Sequence, residues 1–230
     1  MSSGSIEEGV KMDFEALKQK LFQLDTACLC DSNKKLRVME PEIRPINEGL
    51  KMAGIARTVR CESDFLSVIK ALHDAIENEV LVIDAGAKKV AVAGELFATE
   101  AQRKNLGGIV IDGGCRDVRQ LKNMNFPVYA RFVTPHAGTV QRISQAQIPI
   151  ICGGVAVSPG DIVFGDDDGI VVMAEEECVE MIDLALNIQD KEEKVQGILA
   201  ENGSLIDMMN FFEHYDKISK GETSKLIFLV

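Results

Sequence analysis

Between residues 80 and 173, six short runs rich in β-branched residues follow one another: Val80–Asp84, Val90–Ala93, Gly108–Asp112, Val128–Phe132, Ile148–Cys152 and Ile170–Met173. What separates them restricts the chain to a mixed α/β architecture. Glu95–Asn105 has the length and spacing of a helix, and a helix between two strands implies parallel pairing. The stretches around Gly86 and Asp166–Gly169 are too short for a crossover, so they read as tight turns between antiparallel strands.

The flanks are helical. Residues 1–11 read as a disordered lead, and Asp13 is placed to cap a helix carrying Phe14, Leu17, Leu21 and Leu24 on one stripe. A second stripe, Phe65, Val68, Ile69, Leu72 and Ile76, follows Asp64. Between them, Pro41 and Pro45 make 37–47 an extended connector, and Ala56–Cys61 alternates as a strand. Beyond Met173 the chain turns helical and charged, with Val179, Ile182 and Leu186 on one face. A further helical stretch carries Leu205, Met208, Met209 and Phe212, and an apolar KLIFLV ends the chain. That tail suggests burial against the domain or another subunit. The expected division is a catalytic domain over 12–174 and a helical extension over 175–230.

Composition narrows the function. A formal charge of −11 repels nucleic-acid phosphates, and no basic stripe offsets it. The apolar runs fall far short of the roughly 20 residues a membrane-spanning helix needs. The small, acidic N-terminus does not resemble a secretory signal, so a cytoplasmic protein that binds neither nucleic acid nor membrane is expected. The six cysteines are scattered without a C-x-x-C pair and read as buried free thiols. Three separated histidines (His73, His136, His214) leave carboxylates and water as the ligands for any metal, which points to a hard ion.

Potential chemistry converges between residues 90 and 117. A strand ending at Gly94 and a helix starting at Glu95 would present the amides of Gly94, Glu95, Leu96 and Phe97 to an anion. The strand 108–112 runs into Gly113–Gly114, so Arg116 and Asp117 project from a strand end, where α/β proteins place ligands. Arg116 can fork onto a carboxylate or enolate oxygen, and Asp117 can hold a hard metal with Glu95 as second carboxylate. The glycines of IDGGCRD lack G-x-G-x-x-G spacing, which excludes a dinucleotide loop.

The run GELFATEAQRKNLGGIVIDGGCRD strongly resembles the RraA-like family, in which an acidic residue, twenty intervening residues and an Arg-Asp pair mark a metal and pyruvate site. LDTACLCDS (24–32), EPEIRPINEGLKMAGIARTVR (40–60) and CGGVAVSPGDIVFGDDDGIVVM (152–173) extend the likeness over about 15–200. The resemblance implies a three-layer β/β/α swivelling domain with mixed sheets, assembled as a homotrimer or homohexamer with sites at subunit interfaces. Members that regulate ribonuclease E lack a long C-terminal extension. The 4-hydroxy-4-methyl-2-oxoglutarate / 4-carboxy-4-hydroxy-2-oxoadipate aldolases, class II pyruvate aldolases, carry one, as this chain does. In them it brings a metal-binding carboxylate to a neighbouring site, and Glu192 or Glu193 is the nearest candidate here.

The implied activity is Mg²⁺- or Mn²⁺-dependent retro-aldol cleavage of a 4-hydroxy-2-oxo acid to release pyruvate, with oxaloacetate decarboxylation as a side activity. Arg116 would stabilise the enolate and the amides near Glu95–Phe97 would hold the substrate carboxylate. No Schiff-base lysine is needed, leaving Lys88 and Lys89 as surface charges. Two departures from the family pattern bear on substrate choice: Gln120 stands where members commonly have an acid, and FVTPHAGTVQRIS after Arg131 introduces His136. Two alternatives stay open: a regulator of a ribonuclease or helicase acting by protein contact, and a lyase of the same fold acting on another hydroxy acid.

Overall fold

A computed structural model describes residues 13–229, so the lead over 1–11 lies outside the described residues. In chain order the elements are α1 (Phe14–Leu21), α2 (Thr26–Ser32), β1 (Arg37–Val38), β2 (Arg44–Pro45), β3 (Met52–Arg60), α3 (Leu66–Asp74) and β4 (Glu79–Ala93). They continue as α4 (Glu95–Arg103), β5 (Gly108–Cys115), α5 (Val118–Leu121), β6 (Val128–Val133), β7 (Ile150–Cys152), β8 (Val155–Val157), β9 (Ile162–Gly165) and β10 (Ile170–Met173). The helices α6 (Glu175–Ala200) and α7 (Phe211–Ser219) close the chain.

Eight strands form one sheet in the order β1-β10-β9-β3-β4-β5-β6-β2, and β7 and β8 form a separate two-stranded ribbon. The centre, β3-β4-β5-β6, is parallel, while β9, β10, β1 and β2 pair antiparallel at the flanks. Central strands covered on both faces must be apolar throughout, and every residue of β5 is accordingly buried.

Three apolar clusters define the layers. On one face Leu81, Ile83, Ile109 and Ile111 pack beneath α3, α4 and α5. Ile162, Phe164, Val171 and Met173 on that face meet α1, α2 and the first half of α6 through Leu17, Leu21, Leu29, Cys178 and Ile182. On the opposite face Val80, Val82, Val110 and Tyr129 meet the β7–β8 ribbon through Ile150, Cys152 and Val157. Helices, sheet and ribbon are the three β/β/α layers expected from sequence.

Several details differ from expectation. The stretch at Gly86 is not a hairpin turn: the two runs flanking it form the single 15-residue β4, and both halves pair parallel with β5. Gly86 and Ala87 have φ of 61° and 52°, which bulges the strand outward and shifts its register instead of reversing it. The second helical stripe is shorter than its spacing suggests. The helix ends at Asp74, and Ile76 is 65% exposed. The 37–47 connector contributes two edge strands, with Pro45 at the sheet margin where its missing N–H costs nothing. The stretch 205–212 divides into a 3-10 turn, Ile206–Met208, and the start of α7, with Phe212 exposed. The C-terminal tail bonds Met208–Asn210 of its own chain yet leaves Leu226–Leu229 at least a third exposed. The Asp166–Gly169 turn joins antiparallel β9 and β10 as expected.

Candidate active site

Because β4 and β5 are parallel neighbours, Ala93 and Cys115 finish at the same edge of the sheet, and the residues after them meet there. Gly94 caps α4 and Asp117 caps α5. The Asp117 backbone is left-handed (φ 61°, ψ 35°), a conformation aspartate tolerates better than most residues, and its carboxylate turns back over Gly94. A Cβ at position 94 would collide with Asp117 Oδ2 and sit 3.0 Å from Arg116 Cγ, so this close approach requires glycine.

The Glu95 N–H donates to Asp117 Oδ2 at 3.2 Å, and Arg116 Nε lies 3.5 Å from the same oxygen. The Arg116 N–H bonds Ala93 O at 3.2 Å, tying the two strand ends together. Of the four amides expected to receive an anion, Glu95 N–H is taken by Asp117 and Phe97 N–H by Gly94 O, which leaves those of Gly94 and Leu96 available. The Arg116 and Asp117 side chains remain 45% and 37% exposed at the mouth of a small open cleft. Phe65, Ala91, Leu96, Phe97 and Ala137 supply its apolar lining, and the Phe65 and Phe97 rings meet edge to face at 5.9 Å.

Phe65 and Ala137 were not evident as site residues in the sequence, since Phe65 belongs to an ordinary helical stripe and Ala137 to an irregular segment. Glu95 is half-buried at the first turn of α4. Glu192 and Glu193 are not brought to the cleft within one protomer. Glu192 Oε2 accepts from Cys28 Sγ at 3.5 Å, and Glu193 is exposed. His136 is exposed, and its carbonyl accepts the Ala91 N–H at 2.7 Å.

No group of three or more His, Cys, Asp or Glu side chains suited to a metal occurs among the described residues. Asp117 lines the cleft whereas Glu95 does not, so Asp117 is the carboxylate the cleft offers a Mg²⁺-type ion, which retains several waters and takes one or two carboxylates. The cysteines are free thiols, five of them buried. Burial, then the Asp117 charge, pushes Cys115 up to about 11, so it is no nucleophile near neutral pH. Among the described residues no helix is long and apolar enough to cross a membrane.

A three-layer α/β domain with a helix start and an Arg-Asp pair at adjacent parallel strand ends is the class of protein defined here. Residues 26–172 match the RraA-like family model, described as Aldolase/RraA, and the chain belongs to this family. A Halalkalibacterium halodurans protein named "Putative 4-hydroxy-4-methyl-2-oxoglutarate aldolase" is 35% identical over 181 residues, 78% of this chain and 86% of that one. Among solved structures, the RNA-processing inhibitor RraA from Thermus thermophilis superposes with a TM-score of 0.61 at 26% identity, over 65% of this chain and 92% of its own. A Streptomyces coelicolor protein described as an unusual member of the RNase ES inhibitor RraA family gives 0.71 at 26% identity, over 81% and 98%.

Proposed function

We propose that this protein is a divalent-metal-dependent lyase that cleaves a 4-hydroxy-2-oxo acid of the 4-hydroxy-4-methyl-2-oxoglutarate type and releases pyruvate. The observation that carries the reading is the Asp117 carboxylate, bonded to the α4 amide and flanked by Arg116 at the mouth of an open cleft. The name of the Halalkalibacterium relative agrees with it.

Asp117, with Glu95, would hold Mg²⁺ or Mn²⁺, and a carboxylate from Glu192 or Glu193 of a neighbouring copy would complete the set. Such an ion, when bound, supplies positive charge to an oxygen that becomes anionic. Arg116 forks onto the substrate's carboxylate or keto oxygen, and the free Gly94 and Leu96 N–H groups and the α4 dipole receive the carboxylate. As the C3–C4 bond breaks, its electron pair moves into the C2 keto group. The 4-hydroxyl becomes a carbonyl and yields its proton to water in the cleft. Arg116 stabilises the resulting enolate, and protonation at C3 gives pyruvate. Oxaloacetate passes through the same enolate on losing carbon dioxide, so decarboxylation accompanies the main reaction.

Exposed Leu96, Val133, Val140 and Ile143 are spread over the cleft lining and the segment that runs past it, which supports a homo-oligomer built around the site. The likeness to two RraA structures, one of them an RNA-processing inhibitor, favours a second reading, a regulator acting by protein contact. Pyruvate release from 4-hydroxy-4-methyl-2-oxoglutarate and from oxaloacetate, with Mg²⁺ and with chelator, separates the two. Metal-dependent release lost in Arg116→Ala and Asp117→Ala supports the lyase, whereas no release by folded, metal-loaded protein leaves the regulator.

A further inference from the structure

One buried charge lies next to the cleft and has no part in the chemistry above. Asp64 is 2% exposed, directly before Phe65, and no lysine or arginine side chain pairs with it among the described residues. Its partners come instead from a segment some 75 residues away. Oδ2 accepts from Thr139 Oγ1 at 2.6 Å, from Gln141 N at 2.6 Å and from Arg142 N at 3.1 Å, while Oδ1 accepts from Leu66 N at 3.1 Å. The backbones interlock around it: Thr139 N donates to Ser63 O at 2.9 Å, and Phe65 N donates to Thr139 O at 2.8 Å.

This junction needs both a missing side chain and a strained residue. A Cβ on Gly138 would collide with Ser63 O, and Ser63 itself has φ of 60°. The same segment is tied to the site's own strands by Thr134 N to Cys115 O at 2.9 Å, Ala91 N to His136 O at 2.7 Å and Gly138 N to Ala91 O at 3.0 Å. The two cleft-lining residues that belong to neither α4 nor the strand ends, Phe65 and Ala137, therefore sit on either side of the Asp64 junction.

We propose that Asp64 is a positioning residue, its buried carboxylate latching 137–142 onto the start of α3 so that Phe65 and Ala137 form the apolar wall of the cleft. The assignment of a ligand to this wall rests on the lyase reading. A 2-oxo acid with its charged end on Arg116 offers its uncharged C3 side to Phe65, Phe97 and Ala137, and a wall held in place discriminates by size at that carbon. A carboxylate suits the task because one oxygen can accept several N–H and O–H donors at once, which an amide oxygen facing the same donors does less strongly.

The test uses the full chain with Mg²⁺ and two substitutions, Asp64→Asn and Thr139→Val, the second removing one latch bond from the segment's exposed side. Three quantities are read: kcat and KM for pyruvate release, melting temperature, and amide hydrogen exchange. The expected result is a KM raised about fivefold to tenfold with a smaller change in kcat, and faster exchange at Phe65 and 137–142 with β4 and β5 unchanged. Unchanged exchange over 137–142 in both folded variants overturns the latch. So does a fall in melting temperature with KM intact, the signature of a merely structural role. A wild type that releases no pyruvate sinks the lyase reading instead, and the exchange measurement then decides the latch alone.

Discussion

The Asp117 carboxylate rests against the α-carbon of Gly94, so that a single methyl group at position 94 would occupy the space of Oδ2. Twenty-odd residues separate the pair in sequence, and the parallel register of β4 with β5 brings them together. Glycine here does more than start a helix: it gives a neighbouring strand's carboxylate access to the first amide of α4.

Gly94→Ala should therefore damage activity far more than stability. Moving a positioned group by about 1 Å can cost on the order of a hundredfold in rate, and a comparable loss of pyruvate release is expected. The half-exposed position makes the accompanying loss of stability small. Steady-state kinetics beside a thermal melt check this, and a variant with wild-type turnover would show that the Asp117 position is not critical.

Arg116→Lys keeps the charge but loses the planar fork. Lysine cannot reproduce a bidentate grip on a carboxylate or enolate, so kcat/KM should fall about tenfold to a hundredfold while Mg²⁺ affinity stays near wild type. Asp117→Asn should do the reverse, raising the Mg²⁺ concentration needed for half-maximal rate. Titrating activity with Mg²⁺ in both variants distinguishes the roles, and identical metal curves would contradict this division.

Asp64 gives the protein an acid-sensitive segment. Burial alone would raise its carboxyl, but the bonds from Thr139, Gln141, Leu66 and Arg142 outweigh that and hold it at about 2, below the ordinary 3.8. Because the folded value is the depressed one, the stabilisation is complete above about pH 4 and is lost as pH falls through about 2. Melting temperature followed from pH 5 to pH 2 should fall more steeply for wild type than for Asp64→Asn, which lacks this titration. Parallel curves would show that the carboxylate contributes nothing in that window.

How much of this was legible in the sequence depended on the range of each interaction. The runs that became β5, β6 and β10 announce themselves by local composition, and the spacing of Glu95 from Arg116 and Asp117 has meaning once both lie at parallel strand ends. Gly86 did not reveal its role, because a glycine with positive φ serves a hairpin turn and a bulge equally well, and pairing with β5 decided between them. The Asp64 junction was illegible for a plainer reason. An aspartate ahead of a helical stripe looks like an ordinary helix start, and its main partners lie in an irregular segment without periodicity.

Arg131 and Asp112 form a buried pair at 2.6 Å, each side chain 9% exposed, and Asp112 also accepts the Gly153 N–H at 2.8 Å. The pair thus fastens the β7–β8 ribbon to the sheet, with Glu40 at 2.5 Å and Glu42 at 3.9 Å as the arginine's other carboxylate partners. Asp112→Ala leaves a guanidinium half-paired in a buried position and should cost about 3–5 kcal/mol. Chemical denaturation measures this, and a loss below about 1 kcal/mol would place the ribbon's anchorage in its apolar contacts.

The last question is which carboxylate of α6 could serve a neighbouring copy. Glu192 is turned toward α2 of its own chain, where it and Gln189 each accept from Cys28 Sγ, whereas Glu193 is exposed and has no side-chain partner among the described residues. Reassigning Glu192 means breaking an existing contact, so Glu193 is expected to be the shared ligand. Glu193→Gln should then weaken Mg²⁺-dependent pyruvate release about tenfold, the scale of losing one charged ligand contact, with Glu192→Gln near wild type. Mixing Glu193→Gln with Arg116→Ala subunits adds a decisive reading. Mixed oligomers contain some sites that draw every intact residue from two different copies, so activity should reappear on mixing. If neither parent recovers after subunit exchange, α6 supplies no carboxylate in trans and the site is complete within one chain.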